Sequence, residues 1–273
     1  MTNTYQIYLI SDSTGETLER IFLALKAQFK NIEYKIHSYS FTRTENQILK
    51  ILEDAHINNN SIILYTIVDN NLAKYLANTS NDKKIPCFGV LGNLILSFSK
   101  LLNQKASHVP SGQHALNDEY YKRIEAIQFT MNHDDGNSVN ELYKSDIILL
   151  GVSRTSKTPT SIYLANRGYK TINIPLVLDL PIPSVLTTKD NKVCVIGLVA
   201  DPERLADIRR NRVAIMNEKN IKDYTDLEFI KEELMKSKQL FKKNNWPIID
   251  VTRKSVEETA AAILKIFEIN KIK

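Results

Sequence analysis

The sequence predicts an α/β protein in which an N-terminal parallel α/β half is followed by a second α/β half. Short β-like runs alternate with amphipathic helical stretches, and this alternation is interrupted between about residues 105 and 145 before it begins again. We therefore expect an N-terminal α/β domain over residues 1–105 and a connecting segment of helix and loop over residues 106–145. A second α/β domain is expected over residues 146–273.

Four strands are predicted in the first half, with helices between them. The strand candidates are Tyr5–Ile10, Tyr34–Phe41, Ser61–Val68 and Ile85–Leu91. Apolar residues recur between them at helical spacing, first at Leu18, Ile21, Phe22, Leu25 and Phe29 and then at Ile48, Ile51, Leu52 and Ala55. This order is typical of a parallel sheet with helices on both faces.

The second half begins after a predicted helix at Asn117–Met131, which is followed by His133-Asp134-Asp135-Gly136. Its strands are predicted at Asp146–Leu150, Thr171–Val177, Lys192–Ala200 and Pro247–Val251. Helices are predicted near Pro159–Arg167, from Pro202 and from Ser255. Ser255 with Glu258 three residues later has the spacing of a capping box, which marks a helix start.

Composition indicates a soluble globular protein, because 43% of the residues are hydrophobic and 25% are charged. The net charge of +5 is mild and indicates neither a nucleic-acid nor a membrane partner. Cys87 and Cys194 lie in apolar strand-like runs and are expected to be buried thiols, since no spacing suggests zinc. No secretion signal is visible and the apolar runs are short, so a cytoplasmic location is expected.

The segment Gly151-Val152-Ser153-Arg154-Thr155-Ser156-Lys157-Thr158, called the 151–158 loop below, carries the strongest functional signal. A loop that joins an apolar strand to a helix and ends in Lys-Thr is the order that a phosphate-cradling P-loop requires. Lys157 would reach the terminal phosphates and the Thr158 hydroxyl would bind Mg²⁺. Ser156 stands where the general pattern has Gly, and a positive φ at this position would strain the backbone of a residue other than glycine. We therefore predict a P-loop kinase-like second half.

Three other segments are candidates for a role at the site. Ser11–Thr17, which includes Asp12, follows the first strand, where α/β proteins bind ligands, although the same residues are ordinary helix caps. His108 and His114 flank a Pro-Gly turn and suit anion contacts or acid–base chemistry better than a metal. The adjacent carboxylates of Asp134 and Asp135 could hold Mg²⁺ or act as a base only if they lie near the phosphates.

Two features follow the third predicted strand of the second half. Asp201 lies at its carboxyl end, where it could orient Mg²⁺, cap the next helix, or both. Arginines cluster on that helix and could bind phosphate or carboxylate, although a solvated face is the commoner outcome; they are Arg204, Arg209, Arg210 and Arg212.

These landmarks together resemble the bacterial and plant pyruvate, phosphate dikinase regulatory protein family, whose sister group is the phosphoenolpyruvate synthase regulators. The matching motifs span nearly the whole chain. They are Ser-Asp-Ser-Thr-Gly-Glu-Thr at 11–17, the His-bearing turn at 108–114, Tyr-Tyr-Lys-Arg-Ile-Glu-Ala-Ile at 120–127, His-Asp-Asp-Gly at 133–136, Gly-Val-Ser-Arg-Thr-Ser-Lys-Thr-Pro at 151–159 and Ile-Asp-Val-Thr-Arg-Lys-Ser-Val-Glu-Glu at 249–258.

The resemblance implies a bifunctional enzyme. Such proteins use ADP to phosphorylate a threonine beside the catalytic histidine of the dikinase, which inactivates it, and use inorganic phosphate to remove that group as pyrophosphate. The 151–158 loop would bind the nucleotide, with Lys157 and Arg154 as catalytic groups and Asp12, His108 and Asp135 as weaker catalytic candidates. Thr158 and Asp201 would hold Mg²⁺. The Ser11–Thr17 segment is placed near the partner protein or the acceptor phosphate.

The residues leave other interpretations open. A small-metabolite P-loop kinase and a nucleotide-binding regulator without catalysis are the alternatives, and the synthase is the alternative target. The sequence also leaves open whether there are one or two active sites, which residue is the general base and whether the protein is a homodimer.

Overall fold

The chain forms two compact units, Met1–Ala115 and Leu116–Lys273. The computed structural model describes residues 4–112, 116–136, 139–177, 180–188, 193–216 and 222–272. Within these ranges no helix has the length and the apolar character that crossing a membrane requires. The predicted α/β class is confirmed in both units, whereas the three-part division of the chain stays a prediction.

The first unit contains one parallel sheet of four strands in the order β2-β1-β3-β4. The strands are β1 (Tyr5–Ser11), β2 (Tyr34–Tyr39), β3 (Ser61–Thr66) and β4 (Cys87–Gly89). The helices are α1 (Glu16–Lys26), α2 (Glu45–Ile57), α3 (Asn70–Asp82) and α4 (Gly92–Leu102). All four predicted strands are therefore present. Strand β1 extends one residue past its predicted end, whereas β2, β3 and β4 are shorter than predicted.

Local sequence explains where these helices begin. Thr44 and Gln47 form a capping box that starts α2, and the Asp69 carboxylate accepts hydrogen bonds from two backbone N–H groups at the start of α3. Gly15 precedes α1 with a φ of 88°, a left-handed conformation that glycine adopts without steric cost.

The second unit contains another parallel sheet with the same pattern, in the order β6-β5-β7-β8. Its strands are β5 (Ile147–Gly151), β6 (Thr171–Pro175), β7 (Cys194–Val199) and β8 (Ile248–Asp250). Its helices are α5 (Asp118–Asn132), α6 (Lys157–Ala165), α7 (Pro202–Met216), α8 (Lys222–Thr225), α9 (Leu227–Lys243) and α10 (Val256–Ile272). Short 3₁₀ helices lie at Asp134–Gly136, Val139–Lys144 and Ser184–Thr187.

The predicted start of the last helix is confirmed, because Ser255 and Glu258 exchange the two hydrogen bonds of a capping box. The strands predicted for this half are also present, and Lys192, with which one of them was expected to begin, lies outside the described residues. The buried thiol predicted at Cys194 is confirmed, while Cys87 is only partly buried.

The core of the second unit is built around β5, which is buried along its whole length between β6 and β7. Gly197 of β7 lies against α9, and a Cβ atom there would come within 2.4 Å of the Phe241 ring. The close packing of α9 on the sheet therefore depends on a glycine at this position.

We predict that Gly197→Ala destabilises the protein by about 1–3 kcal/mol, because an added methyl group overpacks a core with no free space. Gly92→Ala is the matched control, since a Cβ atom at Gly92 meets no atom within 4 Å. Thermal or urea unfolding measures both. An unchanged midpoint for Gly197→Ala would contradict the packing described here.

Candidate functional site

The 151–158 loop leaves the sheet at the carboxyl end of β5, and α6 begins at Lys157. Arg154 and Ser156 have φ angles of 72° and 57°, so two non-glycine residues occupy the left-handed region. The backbone strain expected where Ser156 replaces glycine is therefore present. Backbone strain of this kind persists where the surrounding structure holds the chain in place, as at binding loops.

Side chains of the loop fix the orientation of its first peptide groups. The Val152 carbonyl accepts hydrogen bonds from Thr155 Oγ1 at 2.9 Å and from Lys157 Nζ at 3.0 Å. In a trans peptide the carbonyl and the following N–H point in opposite directions, so the N–H of Ser153 points away from these donors. The first N–H groups of α6 have no partner within the helix, and they add to the same positive end.

Lys157 is almost completely buried, with 6% of its surface exposed. The pKa of this ammonium group is lowered to about 8, chiefly by burial; Asp135 and Asp134 oppose the shift, while the nearby charges of Arg209 and Arg154 add to it. The Lys157 ammonium group is therefore a cation that is removed from water, and the nearby carboxylates balance its charge only in part. A bound anion would supply the missing negative charge.

The two carboxylates that spacing alone could not place lie beside this loop. Asn173, buried in β6, donates a hydrogen bond to the Asp134 carboxylate through Nδ2 and accepts one from the Asp135 N–H through Oδ1 at 3.3 Å. Thr158 Oγ1 donates to Asp134 Oδ1 at 3.3 Å. The Asp134-Asp135 turn is thus held by β6 on one side and by α6 on the other.

These groups line one open pocket of about 590 Å³. Its walls bring together basic, hydroxyl and acidic side chains, which are Asp134, Asp135, Ser153, Arg154, Ser156, Lys157, Thr158, Pro159, Pro175, Ile208, Arg212 and Tyr224. Nε of Arg154 is buried without a hydrogen-bond partner in the described part of the chain. Because buried donors are nearly always satisfied in folded proteins, this one favours a ligand with acceptor oxygens.

The residues around Thr158 fit a magnesium ion. Mg²⁺ in nucleotide sites takes oxygen ligands from one or two carboxylates and leaves the remaining positions to phosphate and water. The carboxylate oxygen Asp134 Oδ1 and the hydroxyl oxygen Thr158 Oγ1 lie 3.3 Å apart, and both residues line the pocket. Among the described residues no group of three or more His, Cys, Asp or Glu side chains could hold a metal ion. A metal bound by Asp134 and Thr158 would therefore take its other ligands from phosphate or water.

Asp201 lies at the start of α7 and does not line this pocket. Its Oδ1 accepts a hydrogen bond from the Arg204 N–H at 3.0 Å, and its own N–H donates to Thr252 Oγ1 at 2.9 Å. The contact that the structure shows is therefore a helix cap. The metal-binding role of Asp201 stays a prediction.

In the first unit, Asp12 is buried at the end of β1 and accepts a hydrogen bond from the Val68 N–H at 2.7 Å. Burial raises the pKa of this carboxyl above its usual range, while the N–H of Val68 and the charge of Arg43 oppose the shift. Arg43 donates to the Asp12 carbonyl at 3.0 Å. Asp12 therefore has a structural partner within its own unit, and its catalytic role stays a prediction.

The His108 turn also belongs to the first unit. His108 has a φ of 52°, and its Nδ1 lies 2.7 Å from the Val68 carbonyl while its Nε2 lies 3.2 Å from Asn70 Nδ2. Ser111 of the same turn donates to Ser13 Oγ at 3.0 Å, so the turn contacts the loop after β1. His114 lies outside the described residues.

Sequence reasoning missed three residues that hold the pocket together. Asn173 is a single amide in an apolar strand, and that isolation was the only available signal. Arg209 was one of four arginines expected either to bind phosphate or carboxylate or to form a solvated face, and its complete burial was not predicted. Tyr224 contacts Ser153 Oγ through its hydroxyl at 3.0 Å, and nothing in its local sequence indicated this.

The fold and this pocket define an α/β protein with a lysine-bearing loop at the carboxyl end of a central parallel strand. Residues 7–264 match the kinase/pyrophosphorylase family. A pyruvate, phosphate dikinase regulatory protein of Pelagibacter ubique (strain HTCC1062) is 68% identical over 271 residues, which is 99% of each chain. Proteins with the same name from Chelativorans sp. (strain BNC1) and Rhizobium meliloti (strain 1021) are 45% and 44% identical over 96% or more of each chain.

The chain therefore belongs to the kinase/pyrophosphorylase family, as the sequence motifs predicted, and the family is one of phosphotransferases.

We predict that ADP affinity falls about tenfold between about pH 7.5 and about pH 9, because an anion binds the protonated form of Lys157 and this form is lost as the pH rises through about 8. Binding should also take up protons near pH 8, which calorimetry in buffers of different ionisation enthalpy detects. Lys157→Arg is the control, since its guanidinium stays charged and its residual binding should be flat over this range. An ADP affinity of the unaltered protein that does not change with pH over this range would contradict the assignment of Lys157 to the binding of phosphate.

Proposed function

We propose that this protein is an ADP-dependent protein threonine kinase and a phosphate-dependent phosphorylase that inactivates and reactivates pyruvate, phosphate dikinase. The observation that carries the proposal is the pocket in which buried Lys157, the strained 151–158 loop and the two carboxylates of Asp134 and Asp135 lie together. The names of the relatives support the same target protein.

The proposed kinase step transfers the β-phosphoryl group of ADP. The threonine oxygen attacks the β-phosphorus, the bond from that phosphorus to the bridging oxygen breaks, and AMP leaves. The hydroxyl proton of the threonine passes to the carboxylate of Asp135, which lines the pocket. A base is needed at this position because the threonine oxygen must lose its proton as it becomes bonded to phosphorus.

The proposed phosphorylase step uses inorganic phosphate as the nucleophile. A phosphate oxygen attacks the phosphorus of phosphothreonine, the bond between this phosphorus and the threonine oxygen breaks, and pyrophosphate forms. Asp135 returns a proton to the threonine oxygen. Both steps move one phosphoryl group between threonine and another phosphate, so one cradle that binds two linked phosphates suits both directions.

The other pocket residues have roles that follow from charge and position. Lys157 and Arg154 would neutralise the oxygens of the transferring group, and the loop N–H groups would bind them. Thr158 and Asp134 would hold Mg²⁺, which when bound neutralises charge on the phosphate oxygens. The catalytic roles of Asp12 and His108, which belong to the first unit, stay predictions from the sequence.

The test is to incubate the protein with dikinase and either ADP or ATP, and to assay phosphothreonine on the dikinase. We expect ADP alone to support labelling and phosphate to reverse it with release of pyrophosphate. Labelling from ATP only, or transfer to a small metabolite, would favour an ordinary P-loop kinase. Nucleotide binding without phosphoryl transfer would indicate a non-catalytic regulator. The same assay on phosphoenolpyruvate synthase tests the alternative target.

In this assay Lys157→Ala should lower both rates by more than about tenfold, a loss of about 1.4 kcal/mol or more of transition-state stabilisation. Lys231→Ala is the matched control, because Lys231 is an exposed lysine of the same unit that pairs with Glu228 on the surface. Equal activity in the two variants would show that the 151–158 loop is not the phosphate site.

We predict that Asp134→Asn raises the Mg²⁺ concentration needed for half-maximal activity by about tenfold or more, since an amide binds this hard cation more weakly than a carboxylate. Asp201→Asn is the comparison: Asn caps a helix about as well as Asp, so folding should be unaffected. A Mg²⁺ titration of both variants decides between the two positions. A raised requirement only in Asp201→Asn would place the metal at Asp201 instead.

A further inference from the structure

Among the described residues of the second unit, Arg209 of α7 is the largest that is completely buried. Its Nη1 lies 2.8 Å from Glu233 Oε2 of α9 and donates to the Tyr224 carbonyl at 3.1 Å. Its Nη2 donates to the Ser153 carbonyl in the 151–158 loop at 3.2 Å. One guanidinium therefore joins α7, α8 and α9 to the loop.

Tyr224 forms a second connection between the same elements. The Arg209 guanidinium lies over its ring, 4.7 Å from the centroid, and the Tyr224 hydroxyl lies 3.0 Å from Ser153 Oγ. Ser153 is thus held through its carbonyl by Arg209 and through its side chain by Tyr224. Both Ser153 and Tyr224 line the pocket, whereas Arg209 does not.

We infer that Arg209 is a positioning residue for the phosphate site: it holds the Ser153 carbonyl away from the pocket so that the next N–H is available to an anion. The N–H of Arg154 shares a peptide group with that carbonyl and points in the opposite direction. This inference rests on the proposed function in one respect, since it takes ADP to be the ligand whose phosphates meet these N–H groups.

Stability alone does not explain the buried pair of Arg209 and Glu233. Replacing a buried ion pair by apolar side chains of similar volume is often neutral or stabilising, because both charges lose their hydration. A guanidinium offers what an apolar side chain cannot, which is several donors in fixed directions at once. Its hydrogen bonds to the carbonyl groups of Tyr224 and Ser153 use that geometry to set the position of the loop proposed to bind phosphate.

The experiment compares Arg209→Met combined with Glu233→Met, which removes both charges of the pair, with the control Arg210→Met. Arg210 is the next residue of α7 and forms a surface ion pair with Asp207 in which both side chains are exposed. ADP binding by calorimetry and hydrogen exchange of the free proteins are measured on full-length chains.

We expect the double variant to bind ADP about tenfold or more weakly and to exchange the amides of the 151–158 loop faster than the control, while the amides of β5 and β6 exchange as in the control. If the unaltered protein does not bind ADP, the proposed function fails, and loop exchange still tests the positioning role. Loop exchange and affinity equal to those of the control, or exchange that is faster throughout the second unit, would overturn the inference.

Tyr224→Phe and Ser153→Ala keep the inference testable if the double variant fails to fold. Each single substitution removes one side of the hydroxyl contact, and in the combined variant the two losses in ADP affinity should not add. Additive losses would show that Tyr224 does not act through Ser153, and unchanged affinity in all three variants would contradict the positioning network.

Discussion

The candidate site depends on one constraint, which is the burial of β5 between two parallel neighbours. Every residue of β5 is inaccessible to solvent, so the strand cannot shift without disturbing both β6 and β7. At its last residue, Gly151, a Cβ atom would lie 2.8 Å from the Leu198 carbonyl and 2.6 Å from Thr155 Oγ1. The chain therefore leaves the sheet at a defined point, and the loop that follows is positioned by a strand that is buried along its whole length.

The charges of the pocket are arranged around Lys157, which is a cation in a place that disfavours cations. Desolvation and two arginines lower its pKa, and two aspartates only partly oppose them. An anionic ligand removes this imbalance, and so the free protein is poised to gain from phosphate binding. The two aspartates line the same pocket and partly compensate its basic groups.

Much of the fold could be predicted from the sequence, because strand and helix periodicity are local properties. The alternation of elements and the strand–loop–helix unit at 151–158 are present in the structure with small shifts of their ends. The pocket was harder to predict because it depends on contacts between distant residues. Asn173 reaches the Asp134-Asp135 turn from β6, 38 or 39 residues further along the chain, and no spacing rule indicates that contact.

Arg209 shows what local patterns do and do not reveal. An arginine cluster on a helix is more often solvated, which was the commoner interpretation, and three of its four members are indeed exposed. Arg209 stands four residues after buried Leu205, on the apolar face of α7, and this spacing was the available signal. The partners that make its burial tolerable come from α8, α9 and the loop, and only the tertiary structure brings them together.

The most direct test of the account is a crystal structure of the protein with ADP and Mg²⁺. The account predicts that the β-phosphate contacts the N–H groups of the 151–158 loop and Lys157 Nζ. The metal should lie about 2.0–2.1 Å from oxygens of Asp134 and Thr158. A nucleotide bound elsewhere, with no phosphate oxygen in contact with this loop, would contradict the central claim.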